Sequence, residues 1–183
     1  FFRLQDDSAS ACAQLSACLT LAEQWAGVSQ EPAAVPCMEE SVLSFLRSCE
    51  VLTSDWKQML EQAANAPEPE NLLAYTPALD QEIRLFTMDM LYRYYLRAAY
   101  AETPEAEILP VQMAAFAVCV VLLCSRRLGF HTAEQRLRIW QLFVKEIEYD
   151  GDNLEELEWQ LETNAAFSPA AFRAYFASLG GVQ

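Results

Sequence analysis

The stretch "LYRYYLRAAY", residues 91–100, places four tyrosines and two arginines within ten positions. Phenols beside guanidinium groups have three uses. They can pack as core rings with their hydroxyls led to the edge. They can wall a pocket that holds a charged or methylated nitrogen by cation–π attraction. They can stack nucleic-acid bases. Charge argues against the third use. The chain has 26 acids against 12 bases, a net of −14, and such a field repels polyanions. A second tract is purely acidic. Glu146, Glu148, Asp150, Asp152, Glu155, Glu156, Glu158 and Glu162 follow one another with no base among them. It can serve as a solvated helix face or as a landing strip for a lysine-rich partner.

Other reactive residues are sparse. His131 is the one histidine and stands just before a threonine that opens a helix, so a solvated loop position is expected. The six cysteines, at 12, 18, 37, 49, 119 and 124, form no C-x-x-C. With a helical rotation of about 100° per residue, neither 12/18 nor 119/124 can clamp a metal from one helix. Small apolar core residues in a reducing compartment are the expectation, and no metal site is expected. There is no glycine-rich phosphate loop, no dinucleotide fingerprint and no nucleophile elbow.

The elements that position these residues read as helices throughout. Ser8 or Ser10 opens a first helix that Gly27 stops. "CMEESVLSFLRSCEVL" gives a second. Thr53 or Ser54 caps a third. The proline-punctuated stretch 67–77 is the clearest internal boundary, with Leu72, Leu73 and Tyr75 expected to dock. Residues 78–100 form a long fourth helix and 111–128 a fifth, closed by Gly129. Thr132 and Gln135 have capping-box spacing for a sixth, running to Tyr149. Asn153 and Glu156 repeat that spacing for a seventh, 154–164. Ser168 and Pro169 open an eighth, with Gly180 after its last turn. The fold class is all-α: an irregular bundle of about eight helices, largely antiparallel neighbours, around a buried apolar central helix. Residues 1–66 read as an N-terminal helical subdomain and 67–183 as a C-terminal helical domain, or both as one continuous domain.

The apolar run "ILPVQMAAFAVCVVLLC", 108–124, contains a proline and a glutamine. It falls short of the roughly 20 residues a membrane span requires, so a core helix and no membrane contact are expected. The first residues, "FFRLQDDS", lack a methionine, and the chain reads as a piece of something longer. No charged region precedes an apolar one, so no signal peptide is expected. A cytoplasmic location follows.

On a helical wheel, Leu85, Met88, Tyr92, Tyr95, Leu96 and Ala99 share one face of the fourth helix, the expected core. Glu82, Asp89, Arg93, Arg97 and Tyr100 share the other, with Phe86 half-covered among them. Asp89 precedes Arg93 by four residues, the favourable order for an ion pair. In the seventh helix Glu155, Glu158 and Glu162 form an acidic face beside the stripe Leu154, Leu157 and Leu161.

"LYRYYLRAAY", the apolar helix after it, and "VKEIEYDGDNLEELEWQLETNAAFS" (144–168) together resemble the C-terminal half of bacterial flagellin lysine-N-methylases. The resemblance covers about residues 70–175 and is weaker over 1–66. The matching positions are Tyr92, Arg93, Tyr94 and Tyr95 in the first motif, and Lys145, Glu146, Glu148 and Asn153 in the second. Tyr149 stands where the family usually has histidine. The family's cysteine-rich N-terminal region, associated with an iron–sulfur cluster, is not in this chain. The resemblance implies methyl transfer from S-adenosylmethionine to lysines of flagellin by the intact protein. This chain would serve as a structural or substrate-recognition domain, not itself catalytic and without a cofactor of its own. Arg93 and Glu146 are expected to pair and fix the two motif helices, while Glu146 and Glu148 point to different sides. The competing expectation is a non-enzymatic acidic interaction module using Glu155, Glu158 and Glu162.

Overall fold

The structure, a computed structural model, describes residues 9–27, 38–67, 73–99 and 108–179. Its eight α-helices, with no strand among the described residues, are α1 (Ala11–Ala26), α2 (Met38–Ser48), α3 (Ser54–Asn65), α4 (Pro77–Ala99), α5 (Leu109–Leu128), α6 (Ala133–Phe143), α7 (Gly151–Thr163) and α8 (Pro169–Ser178). A π-helical turn, Val144–Glu148, joins α6 to α7, and a 3-10 turn, Ala165–Phe167, precedes α8. The helix starts follow local chemistry. Ser10, Thr53, Thr132 and Ser168 each accept a hydrogen bond from a backbone N–H three residues on, and Thr132 with Gln135 completes a capping box. Gly27 and Gly129 close α1 and α5 at φ 67° and 66°, a left-handed conformation that favours glycine. Ser8, Cys37, Leu72, Tyr100 and Gly180 lie outside the described residues.

α5 is the central helix. Every residue from Pro110 to Ser125 is buried. α4 packs along it most extensively, and α1, α3, α6, α7 and α8 cover the rest. By length and composition α5 could cross a membrane, yet it is wrapped by the bundle. Phe116 stands edge-on to Phe45 and Phe167, with ring centroids 5.7 and 5.2 Å away, and tilts against Phe143. Gln112, a buried polar residue in this helix, donates to the carbonyls of Leu161 and Phe167 at 3.0 and 3.1 Å. That satisfies the amide where an orphan would be costly. The buried apolar residues make one cluster from Ala11 to Phe176, with Leu73 and Tyr75 packed against it.

α4 turns a different face to this core from the one expected. Leu79, Ile83, Phe86, Met90, Leu91 and Tyr94 are buried, and Phe86 stacks on Trp140 at 4.4 Å. Leu85, Met88, Tyr92 and Tyr95 are 57%, 47%, 84% and 49% exposed. The reason is that α4 carries apolar side chains on two faces. Shape against α5 and α6 selects between them, and periodicity alone does not. The side chains of Leu96, Arg97 and Ala99 lie outside the described residues.

The start of α1 is pinned to the start of α4. Asp80 accepts from the Ala11 N–H at 2.6 Å, the Tyr75 hydroxyl at 2.7 Å and Arg84 Nε at 2.7 Å. Burial raises the Asp80 carboxyl, but these three donors outweigh it and hold it below the usual carboxylate value.

Candidate functional site

The second motif sits where the helix changes type. From Val144 to Glu148 the backbone widens, and the Tyr149 N–H donates to the Val144 carbonyl at 3.2 Å, five residues back. Such turns insert an extra residue into an α-helix and recur at functional sites. Here the turn buries Glu146 and Ile147, leaves Lys145 and Tyr149 exposed, and sends Glu146 and Glu148 to different partners.

Glu146 is fully buried. One carboxylate oxygen accepts the Leu52 N–H at 2.7 Å, and the other accepts the Thr53 hydroxyl. Thr53 in turn accepts the Trp56 N–H that caps α3. The carboxylate therefore ties the π turn to the positive end of α3. Asn153 is equally committed. Its Oδ1 accepts the Glu50 N–H at 2.8 Å, and its Nδ2 donates to the Glu50 and Glu146 carbonyls, both at 2.8 Å. It does not cap α7. Asp150 does, accepting the Asn153 N–H at 2.9 Å, so α7 begins at Gly151. Two capping-type residues three apart compete for this role, and the earlier one takes it.

Arg93 pairs with Glu148, not with Glu146. Its Nη1 lies 2.7 Å from Glu148 Oε2 and its Nη2 lies 3.0 Å from Asp89 Oδ2. The two motifs therefore do meet, through a residue two positions later than expected. The rotation that puts Glu146 on α3 leaves Glu148 facing α4. The Glu148 side chain is only 4% exposed. Burial raises its carboxyl above the usual value, ahead of the lowering effects of Arg93 and of the neighbouring Tyr94 phenol. Its Oε1 accepts no hydrogen bond of ordinary geometry. Burial lowers the Arg93 guanidinium, but Glu148 and then Asp89 outweigh this and raise it. Burial also raises the Tyr94 phenol, followed by the charges of Glu148 and Glu158, which brings α7 into the same electrostatic neighbourhood.

On α7, Glu155 and Glu162 are exposed and Glu158 is half-buried, while Leu157 and Leu161 are buried and Leu154 packs beside them. Trp159, 55% exposed, lies four residues after Glu155 and three before Glu162, beside the acidic face. An indole bordering the acidic face went unrecognised in the sequence, although its position between Glu158 and Glu162 was the available signal.

A π-turn carboxyl with a raised value makes a pH prediction. Folding favours the protonated form of Glu148, so this stabilising contribution is fully present below the ordinary carboxylate value. It is lost as pH rises through the raised value. The unfolding free energy of the native protein, relative to Glu148→Gln, is expected to improve on acidification across that window. Denaturant titrations of both proteins at several pH values read this, and the opposite slope would show that the Arg93 ion pair dominates.

Among the described residues, thiol chemistry is not poised. Burial pushes the Cys12, Cys49 and Cys124 thiols up to about 12 and raises Cys18 and Cys119, which suppresses the reactive thiolate. His131 is exposed in the α5–α6 turn, where its N–H donates to Gln135 at 3.0 Å. No cluster of three metal-ligating residues occurs among the described residues. A polar groove of about 440 Å³ lies between α2 and α7, lined by Ser41, Ser44, Ser48, Gln160 and Asn164. Its aromatic floor, Phe45, is engaged with Phe116 and Phe167 in the core.

No family model, curated protein or solved structure matches the chain. The fold is an all-α bundle in which the π turn meets α4 through Glu148 and Arg93 and leads into the acidic face of α7.

Proposed function

We propose that this chain is the recognition domain of a protein-lysine-methylating system in the bacterial cytoplasm. It would hold a lysine-bearing segment of a partner protein, flagellin by the resemblance of its motifs. Methyl transfer from S-adenosylmethionine would take place elsewhere in the parent protein. The observation that carries this reading is the Arg93–Glu148 contact, which joins the two motif segments beside an exposed acidic helix. The division of labour is supported by how the other motif residues are used. Glu146 and Asn153 are spent on buried structural bonds, not on a reacting group. Lysine is a strongly hydrated point charge, and carboxylates with exposed aromatic rings suit its ammonium and its methylated forms.

Calorimetric titration of the chain with flagellin tests the reading. Binding should weaken with added salt. It should fall at least tenfold when Glu155, Glu158 and Glu162 are all reversed to lysine, a loss of about 1.4 kcal/mol. Unchanged affinity after reversal removes the acidic face from the interaction. Transfer of labelled methyl to flagellin by this chain alone would overturn the division of labour. A stand-alone acidic interaction module is the second reading, and the exposed Trp159 beside the acidic face favours it. It predicts the same salt-sensitive loss toward basic proteins in general, with no preference for flagellin.

A further inference from the structure

The groove between α2 and α7 has a volume of about 440 Å³, inside the range of about 300–1,000 Å³ for ligand clefts. Its α7 wall is a run of bonded amides. Asn164 Oδ1 accepts the Ala166 N–H at 3.0 Å, and Asn164 Nδ2 donates to Gln160 Oε1 at 2.9 Å. Gln160 Nε2 then donates to Glu156 Oε1 at 3.1 Å. A carboxamide carries two N–H donors. These bonds use one from each, so both amides are held in a set orientation with an N–H still to give. The α2 wall supplies hydroxyls. Ser48 donates to the Phe45 carbonyl at 2.7 Å, which leaves its oxygen free to accept, and Ser44 is exposed one turn earlier. Glu40 stands a further turn back, also exposed, and no lysine or arginine is in the lining.

These walls decide between occupants. A phosphate or nucleotide would meet a carboxylate and no cation. A sugar ring would find no aromatic face to lie on, because Phe45 is only 6% exposed and stands edge-on to Phe116. An extended peptide suits both walls, since each of its residues carries one carbonyl and one N–H. Its carbonyls can accept from Gln160 and Asn164, and its N–H groups can donate to the Ser44 and Ser48 oxygens. We infer that the α2–α7 groove binds an extended peptide segment by its backbone, with a lysine side chain directed to Glu40. Amides already fixed by their own bonds lose little freedom on binding. Glu40 supplies the charge match. The inference rests on the recognition reading and deepens it, by naming where the lysine-bearing segment lies and which of its groups are read.

The test titrates the intact chain with three blocked pentapeptides by calorimetry. The first has a lysine at the centre of four alanines, the second a glutamate there, and the third is the lysine peptide with methylated backbone nitrogens. The lysine peptide is expected to bind, and the other two to bind roughly tenfold more weakly or not at all. Ser44→Tyr fills the groove from an exposed site and should abolish binding with an unchanged circular-dichroism spectrum. Gln160→Ala should weaken the lysine peptide, and Glu40→Gln should remove the preference for lysine over glutamate. Equal binding of the lysine and glutamate peptides, indifference to backbone methylation, or unchanged affinity in Ser44→Tyr overturns the inference. So does binding of the disaccharide maltose that Ser44→Tyr abolishes, since the occupant is then a sugar. The two readings fail separately. Loss of flagellin binding on reversing Glu155, Glu158 and Glu162, with no effect of Ser44→Tyr, keeps recognition and discards the groove. Peptide binding that Ser44→Tyr abolishes, without flagellin binding by the native chain, does the reverse.

Discussion

Glu146→Ala is expected to lower the free energy of unfolding by about 3–5 kcal/mol. The carboxylate accepts two hydrogen bonds inside the protein, from the Leu52 N–H and the Thr53 hydroxyl. Bonds to a charged acceptor are each worth about 1.5–3 kcal/mol. Alanine removes both and leaves the Leu52 N–H without its protein acceptor. It also frees the Thr53 hydroxyl that caps α3, so the loss should extend to the start of that helix. Glu146→Gln keeps one acceptor oxygen and should cost about half as much, in keeping with a neutral bond in place of a charged one. Denaturant unfolding of the three proteins decides the matter. A near-neutral alanine variant would mean that Glu146 is held there at a net cost, as functional carboxylates can be.

Phe116→Ala should be comparably severe, with about 3–5 kcal/mol lost, the range for emptying a buried phenylalanine site. Phe116 is fully buried and in ring contact with Phe45, Phe143 and Phe167, which arrive from α2, α6 and the 3-10 turn. These three elements lie apart from one another in sequence, so collapse around the cavity is restricted and the cavity term stays large. Phe116→Leu should recover much of the loss, because volume is largely restored. Thermal melts of the pair would show this as a partial return of the midpoint. If leucine proved no better than alanine, edge-on ring geometry would matter more than volume.

Much of the fold is legible in the sequence because its signals are local. Ser10, Thr53, Thr132 with Gln135, and Ser168 each declare a helix start within four residues, and the structure uses every one. The apolar run at 108–124 declares the central helix by composition alone. The failures have a common cause in tertiary choice. α4 has two apolar faces, and only the shapes of α5 and α6 decide that Ile83 and Phe86 go in while Leu85 and Tyr92 stay out. Pairing Arg93 with Glu146 presumed a regular α-helix through 144–148. The π turn is a backbone event without a residue signature, and it sets which glutamate meets α4. Asn153 has the chemistry of a cap, but Asp150 stands three residues earlier and the amide is used instead to grip Glu50 and Glu146.

The burial of α5 has a consequence for how the chain comes into being. Its cover is assembled from helices on both sides of it in sequence, and α8 is the last to be synthesised. Until α8 leaves the ribosome, an apolar helix of sixteen contiguous core residues, Pro110 to Ser125, lacks part of its wrapping. During that interval it resembles cargo for a holding chaperone more than a folded element. Once the last helix has docked, the same amides have no local route to solvent. Their hydrogen exchange should then require opening of the whole bundle, which makes α5 the segment whose isotope retention reports global stability.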